Sequence, residues 1–178
     1  MVRLRELEKK DAPLMLEWMH DPEIQKGFKK NMLGMTLEKA EKFCCSSKIP
    51  HQIIDGESIH FAIVSLEDEY LGTISLKDIN LRDRTAEYAI TTRRCAHGRG
   101  YAKKATGLLL KKAFRDYGLH RVYLNVFSDN IAAIKLYEKS GFKYEGEFRE
   151  HFCINGEYKN WKWYAMLEEE FDEELFGD

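Results

Sequence analysis

The sequence predicts an α/β protein of the α+β type, in which a mixed central sheet carries helices on its surface. Helix-period and strand-period segments follow one another in the order β-α-α-β-β-β-α-β-α-β-β, without strict βαβ alternation. A doubly wound dinucleotide-binding fold requires more regular alternation. The length of 178 residues suits a single domain, which we place at residues 1–178.

The first third of the chain is predicted to be mainly helical. Residues 2–7 alternate as a short strand, and Asp11 is the predicted N-cap of a helix with Pro13 in its first turn. The pair Asp21-Pro22 ends that helix and opens a short second one. Residues 36–45 place apolar side chains on one side at helical spacing, which predicts another helix.

Alternation with a period of two dominates after this region. It predicts strands at residues 59–64, 70–76, 85–91 and 121–127. Apolar stripes at helical spacing predict helices at residues 101–117 and 131–139, each with a glycine near its end. The pair Asn155-Gly156 is a strong hairpin signal, so we expect a strand on each side of it.

Composition and charge exclude several classes of function. No apolar run approaches the roughly 18 residues of a membrane span, and we expect no signal peptide. The formal net charge of -2 argues against a dedicated nucleic-acid binder. The four cysteines form no CxxC pair, so we expect reduced thiols, a cytoplasmic location and no metal site.

The charge is unevenly distributed along the chain. Residues 168–178 form an acidic C-terminal tail, either helical or frayed, with seven acids and no base. The rest of the chain therefore carries a formal charge of +5, because the whole chain carries -2. Residues 88–114 hold seven bases and no acid. Such a block is either a solvated helix face or the seat of a multiply charged anion.

The most informative junction joins a strand, a glycine-containing loop and a helix at residues 87–102. The first-turn amides of a helix lack internal partners, and the helix dipole favours negative charge there. Gly98 and Gly100 let the backbone approach an anion, so this junction suits a phosphate or pyrophosphate. The alternative is a glycine turn that merely starts a helix. Neither GxxxxGK[ST] nor the dinucleotide fingerprint GxGxxG is present.

Two segments carry a longer pattern, His97-Gly-Arg-Gly-Tyr-Ala102 and Asn130-x-x-Ala133-Ile134-x-Leu136-Tyr137-Glu138-Lys139-x-Gly141-Phe142. In both, the chain resembles the GNAT superfamily of acetyl-CoA-dependent N-acyltransferases. The first segment is similar to the family's pyrophosphate motif Q/R-x-x-G-x-G/A, with His97 where Gln or Arg is usual. The resemblance covers nearly the whole chain and implies a mixed, mostly antiparallel central sheet flanked by helices.

Within the superfamily the chain is most similar to the branch of ribosomal-protein alanine, spermidine and aminosugar N-acetyltransferases. The resembling residues include Arg149 and the run Asn155-Gly156-x-Tyr158. That branch often has an aspartate two residues after this tyrosine, whereas this chain has Asn160. The function of that acid therefore does not carry over unchanged.

The resemblance implies that acetyl-CoA is the acyl donor and assigns its parts to residues of this chain. The pantetheine arm is expected to pair with backbone groups of Ile90, Thr91 and Thr92. The pyrophosphate is expected at His97, Gly98, Arg99, Gly100, Tyr101 and Ala102. Asn130 is implied to contact the donor's arm, and Tyr137 to lie near the CoA sulfur.

Glu87 is the candidate base for acetyl transfer to an amine. On a strand it shares a face with Ala89 and Thr91, on the approach to the glycine loop. The resemblance supports this role, since several family members carry a working glutamate on this strand. The alternatives are a water chain as the base, a strand glutamate that merely faces solvent, or an ion pair of Glu87 with Arg84 or Arg121.

Tyr137 is the candidate acid that protonates the departing thiolate. Asn130 and Tyr137 are seven residues apart, so on a helix both face the same way. A packed aromatic ring with a satisfied hydroxyl is the alternative. For Trp161, Trp163 and Tyr164, which lie on a probable terminal strand, we expect core and sheet packing.

The sequence therefore predicts an N-acetyltransferase that acts by direct transfer in a ternary complex, without an acyl-enzyme on Cys95. The acceptor is a primary amine: a protein N-terminus, a polyamine or an aminosugar. Its pocket is expected from residues 18–36 and from the Asn155-Gly156 hairpin. We expect no nucleic-acid or membrane partner, with a homodimer as one option. The alternative function is a non-catalytic acyl-CoA-binding regulatory module.

Overall fold

A computed structural model describes residues 1–177, and within them seven strands form one sheet in the order β1-β2-β3-β4-β5-β7-β6. The strands are β1 (Arg3–Glu6), β2 (Ile59–Val64), β3 (Tyr70–Asn80), β4 (Thr85–Thr92), β5 (Arg121–Phe127), β6 (Lys143–Ile154) and β7 (Glu157–Leu167). Only β4 and β5 pair in parallel among these strands. The predicted mixed, mostly antiparallel sheet is thus confirmed.

Five α-helices accompany the sheet in the described part of the chain. They are α1 (Ala12–Met19), α2 (Pro22–Gln25), α3 (Leu37–Ser46), α4 (Tyr101–Lys111) and α5 (Ile131–Lys139). A wider π-helical turn over Lys112–Asp116 continues α4, so the helix predicted to Tyr117 changes its hydrogen-bonding pattern before it ends. None of the described helices is long and apolar enough to cross a membrane.

The two faces of the sheet carry different helices, because side chains alternate across a strand. Tyr88 on β4 belongs to the core cluster that includes Leu109 of α4 and Ile134 of α5. Ala62 on β2 belongs to a second cluster that includes Met15 of α1. We call these the α4/α5 face and the α1/α3 face.

Asp11 is the N-cap residue of α1 by position, as predicted, but its side chain makes no capping hydrogen bond. Its buried carboxylate accepts hydrogen bonds from the Arg5 guanidinium at 2.7 and 2.8 Å, and from the Glu8 amide at 2.9 Å. A bidentate pair with a guanidinium satisfies a buried carboxylate better than one helix amide does. Asp11 therefore joins β1 to the turn ahead of α1.

The acidic tail is packed rather than frayed over its described part; Asp178 lies outside the described residues. Phe171 is 7% exposed and belongs to the core cluster of the α4/α5 face. The ring of Phe176 lies so close to Gly107 of α4 that a Cβ there would be 2.3 Å away. Three tail acids pair with bases of the body, namely Glu168 with Arg84, Glu170 with Lys143 and Glu173 with Lys111.

Candidate active site

Strands β4 and β5 form a fork in the sheet. Their parallel ladder joins residues 85–87 to residues 121–123 and extends no further in the described chain. Beyond it β4 continues to Thr92 alongside β3, while β5 continues to Phe127 alongside β7. One edge of β4 is therefore open to a ligand from residue 88 to residue 92.

The backbone of β4 beyond the fork points alternately toward β3 and toward the opening. The Arg93 amide donates to the Leu71 carbonyl at 2.8 Å, which fixes the phase of the antiparallel ladder with β3. By this alternation, the N–H and C=O groups of Ile90 and Thr92 face the fork. Those of Thr91 face β3, so the structure turns one of the three predicted pantetheine partners away from the opening.

The glycine loop between β4 and α4 forms a cradle at the N-terminus of α4. Gly98 and Gly100 have φ values of 72° and 74°, in the left-handed region that favours glycine. Gly100 is the N-cap of α4 and offers no side-chain cap, so the first-turn amides at Tyr101 and Ala102 keep their donor capacity. This geometry suits the anion site that the motif predicts.

His97 lies between the end of β4 and the cradle. Its Nε2 atom is 3.3 Å from the Thr92 carbonyl oxygen, so the ring is turned back toward the fork. Arg99 stands between the two glycines, and Lys103 lies in the first turn of α4. Neither cation has a carboxylate partner within residues 1–177. The Lys103 ammonium lies 5.9 Å from the ring centroid of Phe176 in the C-terminal tail, so Arg99 is the cation available to attract an anion bound at the cradle.

Several bases of the block at residues 88–114 are already paired with carboxylates. The block as a whole is therefore not the binding site of an anion. Arg93 pairs with Glu17 and Glu69, both at 2.7 Å. Arg94 makes two hydrogen bonds to Asp21, at 2.6 and 2.9 Å, and its guanidinium lowers the pKa of that carboxyl. These arginines fasten the end of β4 to the region of α1 and α2.

Tyr137 lies on α5 in the core of the α4/α5 face, where it is 7% exposed. Its ring meets Tyr88 edge to face, with 5.8 Å between ring centroids. Burial raises the pKa of Tyr137 well above its ordinary value, so its hydroxyl stays protonated at neutral pH. The predicted role, donation of a proton to the CoA sulfur, requires such a protonated hydroxyl.

Asn130 is the N-cap of α5, and its side-chain oxygen accepts from the Ala133 amide at 3.2 Å. Its amide nitrogen lies on the side of Gly27, where an added Cβ would come within 3.1 Å of it. The loop after α2 therefore approaches the start of α5. The structure brings one of the segments predicted for the acceptor pocket close to a residue predicted for donor binding.

Glu87 lies on the α1/α3 face, because adjacent side chains on a strand lie on opposite faces and its neighbour Tyr88 lies on the α4/α5 face. The candidate base and the candidate acid Tyr137 are thus on opposite faces of the sheet. Glu87 accepts a hydrogen bond from the Lys77 ammonium at 2.8 Å, and its side chain is 19% exposed. An ion pair was one alternative for Glu87, but both partners named for it were wrong, since Arg84 pairs with Glu168 and Arg121 with Glu145.

The two segments predicted for the acceptor pocket meet on the α1/α3 face. Lys29, in the loop after α2, places its ammonium 5.1 Å from the Phe152 ring centroid and 4.8 Å from that of Trp161. Phe152 and Trp161 lie on the two strands joined by the Asn155-Gly156 turn. Sequence reasoning missed Lys29 and Phe152, because no local pattern indicates which ring a distant lysine will contact.

Asn160 has two structural partners on β6. Its side-chain oxygen accepts from the Glu150 amide at 2.8 Å, where Glu150 has a φ of 50° within an irregular stretch of β6. An aspartate would accept the same hydrogen bond. The side-chain amide of Asn160 also hydrogen-bonds to the Glu147 carboxylate and helps to lower its pKa, and an ionised aspartate could not donate that hydrogen bond.

Two cavities lie away from the fork. One is between α4 and the C-terminal tail, and the other surrounds the loop between α3 and β2. No group of three or more His, Cys, Asp and Glu side chains within residues 1–177 is arranged to hold a metal ion. The fork and its cradle therefore remain the site with the most complete chemistry.

Comparisons with known proteins agree with this geometry. Residues 2–143 match the Acetyltransferase (GNAT) domain family. The chain is 31% identical over 159 residues to spermidine N(1)-acetyltransferase of Escherichia coli strain K12, which spans 89% of this chain and 82% of the relative. It is 32% identical over 119 residues to spermidine N(1)-acetyltransferase of Vibrio cholerae, an alignment that covers 67% of this chain and 69% of the relative.

A solved structure shows the same architecture. The crystal structure of spermidine N-acetyltransferase from Vibrio cholerae in complex with CoA and spermine aligns with a TM-score of 0.82 at 27% identity. The alignment covers 96% of this chain and 97% of that one. The structural alignment thus spans nearly the whole chain, and the chain belongs to the GNAT family as an acetyl-CoA-dependent N-acetyltransferase.

Proposed function

We propose that the protein acetylates a primary amine of a polyamine with acetyl-CoA as the donor. The observation that carries this proposal is the fork, where an open strand edge, an anion cradle and Glu87 converge. The choice of a polyamine over a protein N-terminus or an aminosugar rests on the two spermidine acetyltransferases above and on the structure that contains spermine.

The donor lies along the open edge of β4. Backbone groups of Ile90 and Thr92 pair with the pantetheine arm, as an added strand would pair with a sheet edge. The amides from Gly98 to Ala102 and the side chain of Arg99 hold the pyrophosphate, helped by the dipole of α4. His97 borders this site, and Asn130 and Tyr137 face the thioester end from α5.

The acceptor approaches from the α1/α3 face, where Glu87 lies. A primary alkylamine has a pKa of about 10.4, so at neutral pH it arrives as an ammonium ion. That ion takes the place of the Lys77 ammonium at the Glu87 carboxylate. Glu87, directly or through a water molecule, then accepts the proton whose removal frees the nitrogen lone pair.

The transfer itself forms one bond and breaks one. The amine nitrogen attacks the thioester carbonyl carbon, the new C–N bond forms, and the C–S bond breaks to release CoA thiolate. The ammonium loses two protons in the reaction. One passes to solvent through Glu87. The thiolate receives a proton from Tyr137, and the second amine proton restores the Tyr137 hydroxyl. Because both substrates are held together, no acyl-enzyme on Cys95 is required.

Cellular setting and assembly complete the proposal. We place the protein in the cytoplasm as a single domain over residues 1–178, with a homodimer as one option for its assembly and with no nucleic-acid or membrane partner. The four cysteines are free, which suits a reducing compartment, and the pairing of Arg93 and Arg94 reduces the basic surface. Light scattering after size-exclusion chromatography measures the assembly, and titration with labelled DNA measures the expected lack of binding.

The decisive experiment follows acetyl transfer by mass spectrometry across spermidine, spermine, peptide N-termini and aminosugar nucleotides. We expect acetylated polyamine and little product from the other amines. Preferred acetylation of a peptide or an aminosugar would overturn the polyamine assignment. Tight binding of CoA with no turnover on any amine would identify the protein as a regulatory module instead.

A further inference from the structure

Two aromatic rings contact a lysine ammonium near the end of β5 on the α1/α3 face, and a third ring packs against both of them. The Nζ atom of Lys29 lies 4.8 Å from the ring centroid of Trp161 and 5.1 Å from that of Phe152. The ring of Phe127 packs against Trp161, with 4.7 Å between centroids, and against Phe152, with 6.2 Å between centroids. We call Phe127, Phe152 and Trp161 the aromatic cage.

The cage is a preformed cation site whose rings pack against one another. Phe127 and Trp161 are 2% and 5% exposed, and Phe152 is half-buried. Phe152 meets Trp161 nearly at right angles, at 79° with 5.1 Å between centroids, which fixes both rings. Ring faces attract an ammonium ion most strongly where water is partly excluded. Within residues 1–177 Lys29 has no carboxylate partner, so the rings are what hold its charge.

The cage lies in line with the fork. Phe127 is four residues beyond Tyr123 on β5, and both side chains are on the α1/α3 face because they are an even number of residues apart. Tyr123 is the ladder partner of Glu87. At about 3.3 Å per residue, the distance along β5 from the fork to the cage is roughly 13 Å. A polyamine carries two or more ammonium groups separated on this scale by flexible methylene chains.

We propose that the aromatic cage binds the distal ammonium of the polyamine acceptor, and that Lys29 occupies the cage as a placeholder in the free enzyme. This inference rests on the proposed function and adds a second recognition point to it. The end of a lysine side chain and the end of a polyamine are the same chemical group, a primary ammonium on a methylene chain. A cage that accepts one accepts the other, so the acceptor displaces Lys29 into solvent.

Charge and length then determine which amines are good substrates. A polyamine reaches Glu87 with its reacting end and the cage with its distal end. A monoamine such as propylamine reaches Glu87 alone. Removing the Lys29 side chain should therefore help the polyamine and leave the monoamine unaffected, whereas weakening the cage should harm the polyamine alone.

The test compares KM and kcat for spermidine and propylamine in four variants. Lys29→Ala should lower the KM for spermidine about three- to tenfold with kcat unchanged, and Phe152→Leu should raise it by a similar factor. Lys29→Arg should keep or raise the wild-type KM, since a guanidinium also stacks on aromatic rings. Lys30→Ala is the matched control: it removes one charge from the same loop, and Lys30 contacts none of the three rings in the described structure.

Equal effects of Lys29→Ala and Lys30→Ala would overturn the inference, because the gain would then be a general effect of charge. Equal effects of Phe152→Leu on both amines would do the same. Calorimetric titration of spermidine into the CoA-bound enzyme gives a readout without turnover, with tighter binding in Lys29→Ala and weaker binding in Phe152→Leu. If Phe152→Leu does not fold, the contrast between Lys29→Ala and Lys30→Ala carries the test.

The two proposals fail in distinguishable ways. Absence of acetylated product with every amine would refute the proposed function, while the calorimetric comparison would still report on the cage. Normal acetylation of spermidine, with Lys29→Ala and Phe152→Leu both indistinguishable from wild type, would refute only the cage.

Discussion

Glu87 and Tyr123 are the last residues that hold β4 and β5 together, and the sheet opens directly beyond this pair. Because the two residues are ladder partners, their side chains lie on the same face of the sheet at the mouth of the fork. Burial, and then the charge of Glu87, raise the pKa of Tyr123. The opening is therefore bordered by an acid on one face of the sheet. On the other face lies Tyr137, a phenol that stays protonated.

Replacing Tyr137 by Phe should lower kcat roughly 100-fold, within the range of a lost general acid, and leave CoA affinity unchanged. The substitution removes one hydroxyl and keeps the packing of the ring against Tyr88. Initial rates and calorimetric titration with CoA measure the two effects. Tyr88→Phe is the control, since its hydroxyl bonds to Thr106 at 2.7 Å, and it should keep kcat within about threefold. Unchanged turnover in Tyr137→Phe would remove Tyr137 from the mechanism.

Replacing Glu87 by Gln should lower the rate at neutral pH and change how the rate depends on pH. Without a carboxylate to accept the proton, the reaction draws on the fraction of amine that is already neutral. That fraction rises about tenfold per pH unit below the amine pKa of about 10.4. We therefore expect the variant to recover activity between pH 7 and 9.5 in steady-state assays. A profile parallel to that of the wild type would indicate that water alone accepts the proton.

Replacing Gly100 by Ala should weaken CoA binding about tenfold, because a left-handed φ of 74° costs alanine roughly 1–2 kcal/mol and distorts the cradle. Gly56→Ala is a matched control. Gly56 has a φ of 75°, and at both positions an added Cβ meets nothing within 4 Å. Both variants should lose similar thermal stability, and only Gly100→Ala should raise the Kd for CoA in a calorimetric titration. Equal CoA affinity in the two variants would contradict the assignment of the cradle.

Replacing Asp68 by Asn should remove part of the pH dependence of stability. Lys10 and then Arg5 hold the pKa of Asp68 well below its usual range. A lowered pKa stabilises the fold above the unfolded value of about 3.9, and this contribution is lost as the pH falls below it. Asparagine also tolerates the φ of 66° at this position, so the substitution changes mainly the charge.

The expected result is a lower Tm for Asp68→Asn at pH 7, with the difference from wild type shrinking as the pH falls from 4 toward 2. Thermal unfolding followed by circular dichroism across this range measures it. Two curves that stay parallel down to pH 2 would show that the cations around Asp68 do not stabilise the fold through its charge.

Local pattern was sufficient to predict most of the fold. The predicted bounds of β2, β5 and α5 coincide with the observed ones, because side-chain alternation and a closing glycine are properties of the segment itself. Asp11 shows the limit of this reasoning. Its N-cap signal is local, but the Arg5 guanidinium offers the buried carboxylate a stronger pair of hydrogen bonds.

The candidate site likewise contains features that local sequence predicts and features that depend on long-range contacts. The cradle at Gly98 and Gly100 could be predicted because a helix N-terminus and a left-handed glycine are local features. The contact of Lys29 with Trp161 could not, since it depends on how the loop after α2 folds onto a hairpin from the other end of the chain. The partner of Glu87 depended likewise on the register between β3 and β4, which sets Lys77 opposite it.

The placement of Glu87 and Tyr137 on opposite faces also determines the order in which substrates can bind and products can leave. Under the proposed mechanism the donor enters beside α4 and α5 and the amine enters beside α1 and α3, so neither has to pass the other. Either substrate can bind first, and either product can depart first. Added CoA should then compete with acetyl-CoA but not with the polyamine, a pattern of product inhibition set by the two sides of a single sheet.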